Sequence, residues 1–363
     1  MKNFARKGTA FISTLFFLYT VSAQDSTTKK HQLLVLPVIA NSIETSWSFG
    51  AVGSFTYRVK PTDTAIRTSN VQVLSLYTLK KQFLAVIDGT IYFPGEKYIL
   101  SHQVSYSDFP DKFWGLGNKT PNTNEEPYDF KQFYVRLHGQ RALANHLFIG
   151  LLYEYQRLIS IGYIKNGLFD QQQVLGRGGY HVSGLGLSLT YDTRTNAFAP
   201  DKGEMMQVFF NRFESVFGSS YEYTNYVVDL RKYIRLFRNQ VLATQFYGFF
   251  TVGDVPLRSL AALGGASSMR GYYNGRYKDN NQMVFQTEFR TPLFWRLGAV
   301  VFGGVGDVGR KASDFGLSSL KYSYGGGLRV ALKKSEKLNL RIDYGFGNNR
   351  LAKGFYLQLA EAF

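Results

Sequence analysis

Leu338-Asn339-Leu340-Arg341-Ile342-Asp343-Tyr344 alternates without a break between apolar and polar side chains. A period of two puts Leu338, Leu340, Ile342 and Tyr344 on one face of a strand, and Asn339, Arg341 and Asp343 on the other. The pattern returns in 282–290, where Met283, Phe285 and Phe289 oppose Gln282, Gln286, Glu288 and Arg290. It returns again in 221–235, with Tyr226, Val228, Leu230 and Ile234 against Asn225, Asp229, Arg231 and Arg235. In a soluble sandwich the apolar face is core and the charged face meets water. In a membrane barrel the apolar face meets lipid and the charged face lines the lumen. One strand does not separate these two folds; the number of strands and the placement of loops do.

Working outward, strands are expected near 33–41, 46–58, 69–79, 83–93, 98–107, 130–142, 146–157, 183–193, 204–215, 221–236, 240–252, 282–292, 296–306, 321–333, 337–346 and 354–363. That makes about sixteen, an even number that brings both ends of the chain to one side. The long connections 107–130, 157–181, 253–281 and 307–320 fall on the opposite side, while Pro94-Gly95-Glu96 and Phe237-Arg238-Asn239 make short turns beside the ends. Long loops on one side and tight turns on the other belong to outer-membrane barrels. The fold class is therefore all-β, a transmembrane antiparallel β-barrel with periplasmic termini.

The beginning of the chain agrees with export. Lys2, Arg6 and Lys7 precede an apolar run over 11–21 and the small-residue site Val21-Ser22-Ala23. This order reads as a signal peptide over 1–23, followed by one barrel domain over 24–363. The apolar run is short of the roughly 20 residues of a spanning helix. Aromatic content is high, with 31 Phe and 25 Tyr, and the apolar residues alternate rather than cluster. With no cysteine, disulfides and thiolate metal sites are excluded. The formal charge of +16 becomes +13 once the three early cations leave. Export argues against nucleic acid as its cause; a solvated lumen and loops facing anionic lipid head groups, lipopolysaccharide included, account for it. No cofactor or catalytic residue is assigned. Gly304-Val305-Gly306-Asp307-Val308-Gly309 fits G-x-G-x-x-G but opens no helix, the five histidines are scattered, and no G-x-S-x-G elbow occurs.

Three stretches share one likeness. Gly184-Leu185-Gly186-Leu187-Ser188-Leu189-Thr190-Tyr191-Asp192-Thr193-Arg194 runs into a turn with Asn196, Pro200, Lys202 and Gly203. Leu263-Gly264-Gly265 leads to Met269-Arg270-Gly271-Tyr272. Tyr324-Gly325-Gly326-Gly327-Leu328-Arg329-Val330 precedes the stretch quoted first. Together they resemble the BamA/TamA/FhaC superfamily of outer-membrane assembly and secretion barrels (bacterial surface antigens), and Phe113-Trp114-Gly115-Leu116-Gly117-Asn118 is similar to one of its loop motifs. The likeness runs from about residue 110 to the end, with five strands after the Arg-Gly-Tyr loop as in that family.

The resemblance implies that the loop folds into the lumen and that Arg270 pairs there with inward acids. Glu288 is the first candidate, with Asp343 and Asp229 as alternatives. A guanidinium away from bulk water needs bidentate acceptors, and glycine permits a tight turn beside it. The family's F-x-D-x-G pattern reads Phe302-Gly303-Gly304-Val305-Gly306 here, with glycine in place of the aspartate. Asp192 and Arg194 are expected to form a rim ion pair that orders the turn holding Pro200 and Gly203. Phe355, Leu357, Leu359 and Phe363 resemble a C-terminal assembly signal on the lipid face, a face that by parity also holds Glu361. Pro37 and Ala360-Glu361-Ala362 should weaken the junction of first and last strands.

What the resemblance implies about function is non-catalytic insertion or translocation of outer-membrane proteins or lipid-linked cargo. The cargo would be unfolded outer-membrane protein or lipoprotein, and the chain itself would be inserted by the outer-membrane assembly machinery. Only 24–31 precedes the first strand, so a periplasmic POTRA domain is not expected and recruitment would need a separate periplasmic partner. The alternative is a passive barrel whose lumen arginines (Arg231, Arg235, Arg290, Arg329, Arg341) favour anions, or a structural subunit of an envelope complex.

Overall fold

The computed structural model describes residues 31–60, 62, 66–196, 199–333, 338–348 and 351–363, so the expected signal segment lies outside the described residues. In chain order the strands are β1 (His31–Ser42), β2 (Ser46–Tyr57), β3 (Ser69–Thr78), β4 (Phe83–Tyr92), β5 (Tyr98–Phe113), β6 (Glu126–Ala144), β7 (Leu147–Gly162), β8 (Tyr180–Asp192) and β9 (Gly203–Phe213). They continue with β10 (Tyr223–Arg235), β11 (Val241–Gly253), β12 (Ala261–Leu263), β13 (Tyr277–Asp279), β14 (Asn281–Pro292), β15 (Leu297–Gly309), β16 (Lys321–Lys333), β17 (Leu338–Gly347) and β18 (Lys353–Leu359). Sixteen of them close into one antiparallel barrel, while β12 and β13 form a hairpin within the loop that joins β11 to β14. Away from the junction of β1 and β18, the ladder satisfies the wall strands' backbone without water, the condition for crossing a bilayer with strands.

Burial is inside-out relative to a soluble protein. On β10, Tyr226, Leu230 and Ile234 are exposed while Asn225 and Asp229 are buried. On β14, Phe285 is exposed while Gln282, Gln286 and Glu288 are buried, and on β17 Tyr344 is exposed while Arg341 and Asp343 are buried. The apolar face therefore points out of the barrel, to lipid, and the polar face points into the lumen.

Three wall strands run past the expected ends. β5, β6 and β7 have 16, 19 and 16 residues, against the 9–11 or so that span a bilayer. Their surplus rises at the end that holds the long loops. There Phe113, Tyr128, Phe130, Leu158 and Tyr180 enclose Phe169 of the short helix α1 (Leu168–Gln171) and Leu257 of the β11–β14 loop. Packing against folded loops, rather than lipid, keeps these extensions extended, which hydrophobic alternation does not reveal.

The closure is uneven. β1 pairs with β2 from His31↔Tyr57 through Ser42↔Ser46, and β17 with β18 from Leu340↔Leu359 through Phe346↔Lys353. β1 and β18 share the one pair Asn41↔Leu357. After Leu359 the chain leaves the wall: Ala360 takes a positive φ of 64° and the last residues turn inward. Two expectations are thereby corrected. Phe355 faces outward, but Phe363 is buried in the lumen against Tyr233 and Ala243. Glu361 is also internal, accepting hydrogen bonds from Arg329 Nε (2.7 Å) and Asn339 Nδ2 (2.8 Å). Strand parity holds only while the strand is continuous, and Ala360 breaks it.

Val208 lies on the outer face midway along β9. Val208→Arg should cost about 2–4 kcal/mol. Gln103→Arg, directed into a polar lumen chamber of about 470 Å³, should cost far less. Urea unfolding in lipid vesicles, followed by tryptophan fluorescence, measures both.

Candidate functional site

The β11–β14 loop re-enters the barrel and carries Arg270 to the wall made by β14–β17. Arg270 is 2% exposed and is gripped from two strands, by Glu288 of β14 and by Asp343 of β17 (Nη1–Oδ2 2.5 Å). Its guanidinium lies 3.5 Å from the ring centroid of Phe302 on β15. Two carboxylates and an aromatic face replace the water that a buried guanidinium gives up.

Backbone shape makes this approach available. Gly271 has a φ of 108°, and a Cβ there would come 2.7 Å from the carbonyl carbon of Phe346. A Cβ on Gly345 would meet the carbonyl carbon of Arg270 at the same distance. Loop and wall thus touch backbone to backbone, and both residues must be glycine. Tyr356 Oη accepts from Gly271 N (2.9 Å), and Tyr272 Oη donates to Tyr322 O and accepts from Asn348 N (2.8 Å). Met269 is fully buried, with Sδ 3.3 Å from where a Cβ on Gly304 would stand. At the position where the family pattern has an aspartate, this chain makes room for the loop's methionine and takes its second carboxylate from Asp343.

The grip extends into a lattice. Glu288 also binds Arg290 (Nε–Oε2 2.8 Å), and Asp343 also binds Arg329 (Nη1–Oδ1 2.5 Å). Arg329 and Arg290 converge on Glu361, at 2.7 and 3.8 Å, and Arg290 donates to Phe363 O. Arg341 lies 3.6 Å from Asp343 and donates to Gln358. Asp229 is not brought to Arg270. It lies on β10, two strands from β14 in the wall, and is held by Arg231 (Nη2–Oδ2 2.6 Å) and Gln245.

A second set of contacts closes the end with the long loops. Lys278, on β13, reaches Tyr128 Oη (3.2 Å) and Asp111 (3.9 Å). Burial lowers its pKa to about 8, with Asp111 pulling the other way. Asp111 also accepts from Tyr128 and Tyr273 (2.7 and 2.9 Å). The Phe113–Asn118 motif is stitched to the same hairpin by Gly117 N donating to Lys278 O (2.8 Å), and to β15 by Asn118 Nδ2 donating to Asp307 (3.1 Å).

At the opposite end Asp192 accepts from Arg194 Nε (2.9 Å) and from Arg67 Nη1 (2.9 Å), while Arg67 also forks onto Glu96. The following turn has Pro200 buried and Gly203 at a φ of 98°. Arg67, Asp307 and Lys278 had no role assigned from sequence. Arg67 lies in an irregular connection with no periodicity to mark it, and Asp307 sits inside a glycine run that resembles an unrelated motif.

A family model, the Omp85 superfamily domain, matches residues 77–363. The chain belongs to the Omp85 superfamily. Among solved structures it is similar to BamA from Haemophilus ducreyi lacking POTRA domains 1–3, at 14% identity and a TM-score of 0.58, covering 91% of this chain and 70% of that one. CdiB from Escherichia coli matches at 12% identity and 0.60, over 92% of this chain and 68% of that one. CdiB from Acinetobacter baumannii matches at 11% and 0.59, over 92% and 60%. No curated protein matches the sequence. An Omp85 barrel implies the bacterial outer membrane.

Removing the Arg270 side chain leaves two buried carboxylates short of a partner. Arg270→Ala should lower unfolding stability by about 3–5 kcal/mol. Gly345→Ala, which leaves every charge in place, should also expose the 254–280 loop to protease. Limited proteolysis of the folded protein in micelles checks both variants.

Proposed function

We propose that this Omp85 barrel inserts polypeptide into, or moves it across, the outer membrane by opening between β1 and β18. The observation that carries the reading is the seam. One residue pair joins these strands, whereas seven join β17 to β18, the next shortest run in the wall. Each missing pair leaves backbone donors and acceptors that an incoming strand would satisfy, as in β-strand addition. Pro37 of β1, opposite Ala51 of β2, has no N–H to offer to the ladder. Membership of the Omp85 superfamily and the similarity to the barrels of BamA and CdiB support handling of protein cargo. In this reading the termini are periplasmic and the long loops extracellular.

The passive anion pore is disfavoured by the pairing of the lumen arginines. Arg231 meets Asp229, Arg235 meets Asp201, Arg290 meets Glu288 and Glu361, Arg329 meets Asp343 and Glu361, and Arg341 lies beside Asp343 and Gln358. Charges neutralised in this way give little anion preference, and the re-entrant loop narrows the path.

Asn41 and Leu357 face each other across the seam, close enough for a disulfide between cysteines placed there. Depletion of the protein should remove a defined set of proteins from the outer-membrane proteome. The Asn41→Cys/Leu357→Cys variant should restore that set only under reducing conditions. Full restoration by the oxidised variant, or large steady anion-selective currents from the unmodified barrel, would overturn the reading. Single-channel recording should instead give small flickering conductance that Arg270→Ala enlarges.

A further inference from the structure

The outer wall has a dent that barrel closure does not require. Leu100, Gly139, Leu151 and Leu187 lie in one row across β5, β6, β7 and β8, paired strand to strand. At Gly139 the row falls inward, leaving a groove of about 420 Å³ bordered by Tyr98, Ile149, Leu151 and Leu187. The neighbouring Gly150 has a reason to be glycine. A Cβ there would run into Ser188 Oγ and come 2.6 Å from His138 Nε2, two atoms that are hydrogen-bonded to each other in the lumen. Gly139 has none. Nothing lies within 4 Å of its would-be Cβ, and its backbone does not take a positive φ. Glycine weakens a strand interior, and one that neither packing nor backbone calls for leaves a place where a ligand can approach the wall closely.

Charge says which ligand. Two residues along β6 towards the end with the short turns, Arg141 is exposed on the same outer face, between Tyr98 and Ile149. Its guanidinium makes no ion pair or hydrogen bond with any described residue. Lys97 stands beside it, exposed, with its Nζ 5.9 Å from the ring centroid of Tyr98. β5 begins at Tyr98, so the two cations sit at the rim of the lipid-facing band, at head-group depth. Arginine on the lipid face costs least there, and an anionic head group supplies the missing counter-charge.

We infer that this groove is a binding site for one anionic glycerophospholipid, its phosphate on Arg141 and Lys97 and one acyl chain laid over Gly139. The pattern is polar at the rim and apolar below, which is the polarity of a lipid standing in its own leaflet. Neither residue touches the lumen, so the site is independent of the transport reading.

Two substitutions test the two halves separately. Gly139→Leu places a side chain in the groove where no described atom obstructs its Cβ, and Arg141→Gln removes the charge while keeping a polar side chain. Folded protein in micelles doped with phosphatidylglycerol, dioleoylglycerol or inorganic phosphate is read by native mass spectrometry, with heat-dependent gel migration confirming the barrel. The unmodified protein should retain one phosphatidylglycerol and should not retain dioleoylglycerol. Arg141→Gln should lower occupancy about fivefold, the contribution of one basic side chain at an anionic lipid surface. Gly139→Leu should abolish retention with Arg141 intact. Equal retention by both variants, retention of dioleoylglycerol at the same level, or displacement of the lipid by inorganic phosphate would each overturn the proposal.

Discussion

The interior along β14–β17 is arranged around one cation taken out of water. Arg270 arrives on a loop, yet its partners Glu288 and Asp343 are rooted in β14 and β17. A buried guanidinium with one acceptor would be a liability; with two carboxylates and the Phe302 ring it becomes a fixed point. The two carboxylates reach onward to Arg290 and Arg329, and through those to Glu361. The chain segment after β18 is thereby held by the same lattice that holds the loop. Loop, wall and final residues form one electrostatic unit, and the lone β1–β18 pair lies at its border.

The barrel solves two solvation problems with one alternating sequence. Outward positions carry residues such as Phe285, Tyr226 and Tyr344 that gain from lipid, and inward positions carry groups that must find partners. The glycines mark where this rule yields to close approach. Gly271 and Gly345 let two backbones meet, and Gly304 gives up a side chain so that Met269 can fit.

Much of this was readable from residues alone because a period of two is a strong signal wherever the strand is unbroken. The wall strands could be counted, and parity put Glu288, Asp343 and Asp229 on the inner face. Parity does not say which acid faces which cation. That depends on the loop's path and on strand order, which left Asp229 with Arg231 instead. Parity also failed for Glu361 and Phe363, where the positive φ of Ala360 reverses the facing of everything after it. The upper reaches of β5–β7 were missed because loops, not lipid, support them. Arg67 joins Glu96 and Asp192 across 29 and 125 residues of chain, a distance no local pattern records.

The two anchors of Arg270 lie at very different distances along the chain. Glu288 is 18 residues downstream and Asp343 is 73. While β17 is unformed, Arg270 has one carboxylate, and that carboxylate is shared with Arg290. The backbone contact between Gly271 and Gly345 is equally missing. Docking of the loop thus requires β17 in the wall, and a re-entrant loop that resists digestion reports that β17 is in place.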